Sequence, residues 1–390
     1  MNKKIVLIDV FIVFRMIISN LVHPVTPAFL IGLELPDYMF GLAFSFMALT
    51  NFLFSPLWGK VSKNVGDMKS YGIAYIGYGI GQLMFANATT IEGILIARII
   101  SGSFVGGLFV NELIYIVNNS KLKDRGRNLA ISGTLLGVAP PFGYLVGGLI
   151  GEQSIRLAFI VQVVSLISMG LLSFAILKDS AVKQKLPFNK LIKESNPFRA
   201  FVDVKELLNK KLILFFIVVT LSNIARTAFD QSFNYFLVDV YKFSPSYNGY
   251  FKAIVGVISL LVNSSICLWI VKKTNIHKSY IIVLFSTMLT ISLMLLVNDK
   301  FTFIGLSLLN YGIMVMFLPL LQAKLSDLED NTEGVLLGFF NSMKGLGSFL
   351  GSLFIGFIYV LNPIYAFISC VVVLIIAIII AVLNLKNIKM

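Results

Sequence analysis

The chain has 390 residues, 57% hydrophobic and only 13% charged, with a formal net charge of +13. About a quarter of a soluble domain is charged, so this composition, with a mean hydropathy of +0.88, excludes one. A nucleic-acid face is excluded as well, because the basic residues fall in short segments between apolar stretches rather than on one polar surface.

A helix needs about 20 apolar residues to cross a bilayer. In chain order the hydropathy predicts twelve such spans, at 5–31, 40–60, 70–90, 93–117, 128–150, 156–177, 212–238, 247–271, 279–298, 301–322, 334–360 and 363–385. The first follows Lys3 and Lys4 as a signal peptide would, but it is too long and lacks a small-residue cleavage site, so it reads as a retained helix. With the N-terminus inside, the inner segments hold 24 basic residues and the outer ones three, Arg156, Lys242 and Lys300. That asymmetry places both termini in the cytoplasm and favours an even number of spans.

The expected fold class is an all-α membrane protein of twelve transmembrane helices in two six-helix bundles. The polar stretch 178–211 divides the chain into an N-terminal bundle (1–177) and a C-terminal bundle (212–390) joined by a cytoplasmic linker. Six-helix halves around a midplane site are a common transporter plan. Trp58 near the end of the second span and Trp269 near the end of the eighth read either as a faint internal repeat or as two interfacial anchors. Glycines spaced by four in the fifth and eleventh spans allow close helix approach. Pro140 and Pro141 predict a bend in the fifth span, open to a packing or a gating role.

Cys267 and Cys370 both lie inside spans and suggest neither a disulfide framework nor a metal site. No cofactor is expected. No phosphate-binding loop points to ATP, and no nucleophile and base stand at workable spacing, so the chain does not read as an enzyme.

An ionised side chain inside a span costs at least roughly 2.5 to 3.5 kcal/mol, so the eight in-span charges locate the function: Asp9, Arg15, Arg98, Glu112, Arg226, Asp230, Lys252 and Lys344. Arg226 and Asp230 are four apart, share a helix face and are expected to pair, either as a static ion pair or as a proton carrier with its partner. Arg98 and Glu112 share a face of the fourth span roughly 20 Å apart along its axis. Glu112 reads either as a coupling acid or as an interfacial acid meeting Arg125 and Arg127. Arg15 and Ser19 lie on a polar stripe of the first span and are expected to line a cavity. Asp9 reads as a helix-end charge, Lys252 as a snorkelling one and His23 as a structural residue. Lys344, near mid-span beside Asn341 and Ser342, joins Asn223, Phe233 and Tyr311 as expected cavity lining, with Phe229, Phe236 and Tyr250 adding aromatic surface. Five cations against three acids suit an amphiphile with an anionic or zwitterionic part.

Several motifs converge. The fourth span reads Arg98-Ile-Ile-Ser101-Gly102. The fifth carries Ala130, Ala139, Gly143, Gly147 and Gly148, with Tyr144 where a proline is usual. The loop after the second span runs Gly59-Lys-Val-Ser-Lys63-Asn-Val-Gly66-Asp67 and is followed in the next cytoplasmic loop by Arg125 and Arg127. In these residues, and in Pro24 to Pro27, Ser55-Pro56, Ala228-Phe229-Asp230, Ser244-Pro245 and Asn341-Ser342, the chain resembles the major facilitator superfamily, and within it the bacterial twelve-span drug:proton antiporters. The resemblance implies proton coupling at Asp230. It also implies a second acid in the tenth span, where this chain has Val315. In the signature loop Lys63 and Asp67 exchange the usual acid and base, and an i,i+4 attraction between them is expected.

The expected function is a proton-coupled exporter of amphipathic small molecules or drugs in the bacterial cytoplasmic membrane, working by alternating access as a monomer with protons and the bilayer as partners. The alternative is an exporter or flippase of an endogenous anionic metabolite or lipid-linked sugar.

Overall fold

A computed structural model of the protein describes residues 2–180, 195–198, 201–202, 204–326 and 333–389. Half of the expected linker, and the side chain of Ala130, lie outside the described residues. Those described are almost wholly helical.

The first half holds α1 (Lys3–Asn20), α2 (Thr26–Gly32), α3 (Met39–Val65), α4 (Asp67–Asn87), α5 (Ile91–Asn119), α6 (Leu122–Val138), α7 (Pro140–Gln153) and α8 (Ile155–Ile176). The second holds α9 (Lys210–Asp239), α10 (Pro245–Val262), a wider π-helical turn at Asn263–Cys267, α11 (Leu268–Lys273), α12 (Ile276–Met294), α13 (Lys300–Met314), α14 (Phe317–Ser326), α15 (Glu333–Leu361) and α16 (Pro363–Lys389). Local sequence explains many of the starts. Thr90, Ser154 and Asn209 each offer a side-chain oxygen to the first free amides of α5, α8 and α9. Asp299 does so for α13, and the bonds from Thr302 hold its exposed carboxyl below the usual range.

Among the described residues, ten helical stretches are long and apolar enough to cross a membrane. The expected spans at 5–31 and 70–90 are not among them. The first is broken between α1 and α2, where Pro24 precedes Thr26 and Pro27 cannot continue the backbone ladder. The second is the unbroken helix α4, which Asp67, Lys69, Ser70 and Gln82 make too polar to qualify. The fifth expected span does bend: α6 ends at Val138 and α7 restarts with its two prolines in the first turn, where no amide donor is needed.

The two tryptophans occupy unlike environments. Trp58 is buried and donates from its indole Nε1 to Ser103 O at 2.6 Å, so it is a packing residue between α3 and α5. Trp269 is exposed on α11. The expected shared role as interfacial anchors therefore does not hold for Trp58.

The chain forms two compact units. One comprises 1–35, 46–197 and 243–253, and its core gathers Ile8, Phe11, Ile12, Tyr71, Tyr75, Leu108 and Leu166. The other comprises 36–45, 198–242 and 254–390. Its core centres on α9, whose Phe215, Phe229, Phe233 and Phe236 are buried.

Glycine sets how closely the helices approach. A Cβ on Gly147 would lie 1.6 Å from Leu21 O, and one on Gly143 would lie 2.2 Å from Ile17 O, so α7 runs directly against the α1 backbone. In the second unit a Cβ on Gly347 would lie 2.6 Å from Thr220 O and one on Gly351 2.6 Å from Ile224 O, so α15 runs close onto α9. Gly147→Val should cost about 1 to 3 kcal/mol or more through overpacking and lower the unfolding temperature in detergent. Gly133→Ala, with nothing within 4 Å of its Cβ, should leave that temperature unchanged.

Candidate functional site

The first unit encloses a complete ion pair. Arg15 on α1 donates from Nε and Nη2 to both carboxylate oxygens of Glu112 on α5, at 2.5 and 2.8 Å. Tyr71 on α4 donates to Glu112 Oε1 at 2.6 Å, and the Arg15 guanidinium lies 4.1 Å from the centre of the Phe109 ring. Arg15 is 1% and Glu112 3% exposed. Two parallel charge-assisted bonds plus a phenol satisfy the acid in a setting where an unpaired ion would be costly. The structure thus joins two residues that the sequence reading kept apart, and Glu112 meets Arg15 rather than Arg125 and Arg127. Arg125 is half-buried with its Nε unbonded, and Arg127 is exposed on α6.

Arg98 is different. It is 6% exposed, its guanidinium carbon stands 3.6 Å over the Phe85 ring, and its Nη1 donates to Met47 Sδ at 3.5 Å. Its Nε has no partner, and among the described residues no carboxylate pairs with it. A ring beneath a cation contributes up to about 2 kcal/mol, less than the several kcal/mol of ion desolvation. Tyr78 stands beside Arg98, Ser19 and Gln82, while Gln82 Nε2 donates to Ser101 Oγ at 3.5 Å. Gln162 on α8 donates to Ile18 O and Ser19 O. Gln82 Oε1 and Gln162 Oε1 are buried without partners.

In the second unit, Tyr311 on α13 donates to Asp230 Oδ1 at 2.8 Å. Phe229, Phe233 and Tyr311 form mutual ring contacts, extended by Phe303 and Phe367. Phe233 is fully enclosed there, and Asn223 is buried where its Cβ meets Gly347. The expected pairing of Arg226 with Asp230 is not seen: Arg226 is exposed on α9, with the half-buried Lys344 on α15 as a charged neighbour. Asn341 is exposed and Ser342 donates back to Gly338 O. Val315 falls at the break between α13 and α14.

The signature loop also differs from expectation. Gly66 has a φ of 109° and ends α3, so Lys63 and Asp67 lie on separate helices and their i,i+4 attraction is lost. Asp67 is buried and accepts from the amide and hydroxyl of Ser180, while Asp179 accepts from the amides of Met68 and Lys69. Lys63 is exposed and Gly59 packs near Val110. Gly148 on α7 meets the Gly249 backbone of α10.

Two minor expectations also change. Asp9 is a buried acid well inside α1 that accepts from Ser132 Oγ at 2.6 Å, and Asn2 is the residue that caps the helix. Lys252 is buried with its ammonium 5.7 Å from the Tyr144 ring rather than snorkelling. His23 stacks on that same ring, with centroids 5.5 Å apart. Sequence reasoning missed Tyr71, Tyr75, Tyr78, Gln82 and Gln162. A signal existed, since 71, 75 and 78 make a helical stripe of phenols, but neutral phenols and amides carry no charge penalty to single them out.

Apolar helices long enough to cross a bilayer, with polar groups concentrated inside them, define a multi-pass membrane protein of the transporter class. Residues 10–329 match the family described as the Major Facilitator Superfamily, and the chain belongs to it. It is 22% identical over 372 residues to Multidrug resistance protein 2 of Bacillus subtilis (strain 168), covering 93% of this chain and 90% of that one. It is 24% identical over 376 residues to the class H Tetracycline resistance protein of Pasteurella multocida, covering 94% and 91%. Among solved structures, a bacterial homologue of the human lysosomal transporter Spinster, inward-facing and unoccupied, superposes with a TM-score of 0.79 at 12% identity, covering 97% and 96%. The nucleoside transporter NupG does so with a TM-score of 0.76 at 15% identity, covering 100% of each chain.

Glu112→Gln should destabilise the protein by about 3 to 5 kcal/mol, because it leaves Arg15 buried without its counter-charge. The double variant Arg15→Met with Glu112→Leu should recover most of that loss, read as unfolding midpoints in detergent.

Proposed function

We propose that the chain is a proton-coupled exporter of amphipathic small molecules, built as twelve spans in two six-helix bundles (1–177 and 212–390) joined by a cytoplasmic linker. It sits as a monomer in the bacterial cytoplasmic membrane with both termini inside, as the 24 to 3 distribution of basic residues supports. The relatives' names support drug efflux. The observation that carries the reading is Asp230, an acid in the long apolar helix α9 that accepts from the phenol of Tyr311 beside an aromatic cluster. A carboxylate inside an apolar helix is a group whose protonation follows changes in its surroundings, and the rings around it accept apolar cargo with few directional demands.

In this scheme Asp230 carries the proton and Arg226 biases its charge state. Glu112 joins only when Arg15 releases it, and Arg98 supplies a fixed positive charge. Ser19, Asn223, Phe233, Tyr311, Asn341 and Lys344 shape the cargo site. Pro140, Pro141, Gly143, Gly147 and Gly148, with Gly59, Lys63, Gly66, Asp67, Arg125 and Arg127 in the cytoplasmic loops, serve the change of opening. A second reading, export of an endogenous anionic metabolite, is favoured by the cations Arg98, Arg226 and Lys344, none of which pairs with a carboxylate among the described residues.

In proteoliposomes Asp230→Asn should abolish proton-driven efflux while sparing substrate binding, and unchanged coupling would remove Asp230 from the site. Efflux that persists after the proton gradient is collapsed would rule out antiport. A deletion strain that gains no sensitivity to a drug panel would favour the metabolite reading.

A further inference from the structure

The first unit contains two buried arginines that differ in one respect. Arg15 uses its Nε and Nη2 edge to grip both oxygens of Glu112. At Arg98 that edge has no carboxylate: Nη1 is turned to Met47 Sδ, one face of the guanidinium covers Phe85, and Nε has no partner although the side chain is more than nine-tenths buried. The groups beside it are neutral, namely Tyr78 with Ser19 and Gln82. Ser19 is turned to the Tyr78 phenol, whereas Gln82 Oε1 and Gln162 Oε1 are unpartnered acceptors.

We propose that Arg98 is a carboxylate-binding residue of the cargo site, its Nε and Nη2 edge receiving a cargo carboxylate as Arg15 receives Glu112, so that the transported molecules are amphipathic organic acids. Four features converge. The guanidinium is pre-oriented by Phe85 and Met47, so little rotamer freedom remains to be lost on binding. The free edge matches a planar carboxylate in two parallel bonds. No side-chain acid of the described chain neutralises the cation, so the charge is left for something external. The flanking Phe85 ring and Met47 thioether suit the apolar part of an amphiphile. The two glutamine oxygens offer acceptors to an N–H or O–H on the same molecule. This inference deepens the exporter reading and rests on it only for the word cargo.

The test uses the full-length protein in lipid nanodiscs without a proton gradient. The probes are 1-pyrenebutyrate and its methyl ester, followed by fluorescence titration. Wild type should bind the acid at least tenfold more tightly than the ester. Arg98→Gln should bring that ratio to about one by weakening the acid and leaving the ester unchanged, with an unfolding temperature equal to or above wild type. Arg98→Lys, which keeps the charge but loses the fork, should give an intermediate ratio. Equal binding of acid and ester by wild type, binding of neither, a ratio that survives in Arg98→Gln, or an equal loss of both probes would each overturn the proposal. Gly133→Ala, at a position with nothing within 4 Å of its Cβ, should keep the acid-to-ester ratio. A chain that preserves the ratio but shows no proton-driven efflux would retain the carboxylate site and lose the antiport reading. The reverse result would do the opposite.

Discussion

An ion inside an apolar helix has to be neutralised where it stands, and the polar anatomy of this protein follows from how each charge meets that demand. Arg15 and Glu112 meet it fully, with two charge-assisted bonds and the phenol of Tyr71. Asp9 accepts from the hydroxyl of Ser132, and Asp230 accepts from the phenol of Tyr311. Arg98 has an aromatic face and a sulfur in place of an acid. The pattern runs from closed to open, and the more open the neutralisation, the less structural role the charge has left to explain its presence.

Backbone proximity is the second constraint. Helices without side chains at the contact can approach until carbonyls almost touch, as α7 does on α1 at Gly143 and Gly147 and as α15 does on α9 at Gly347 and Gly351. The same contacts hold the charged helices in register. α7 fixes α1 beside Ile17 and Leu21, one turn beyond Arg15, and α15 seats on α9 at Ile224, just before Arg226. Packing and charge placement are therefore parts of one arrangement.

Much of this was legible in the chain alone. Apolar length, the loop distribution of basic residues, the bend at Pro140 and Pro141, and the eight exceptional charges all follow from local composition. The partners of those charges did not. Helical periodicity reports which residues share a face of one helix, and it suggested Arg226 with Asp230 and Lys63 with Asp67. Gly66 broke the second pairing by leaving the helical region of φ. The first gave way because Tyr311, from another helix, reached Asp230 instead. Neutral groups such as Gln82 and Gln162 stayed hidden because an amide in a span carries no charge penalty to single it out.

The sequence by itself determined that the protein lives in a bilayer, how its charges are spaced along the helices and which family it resembles, because hydropathy and motif spacing are properties of consecutive residues. Only the tertiary structure decided that Glu112 belongs to Arg15, that Asp67 belongs to Ser180, and that Arg98 belongs to no acid among the described residues. Those outcomes join positions between 97 and 113 residues apart where they join any. At such separations no periodicity carries information, and the pairing is set by which helices pack together.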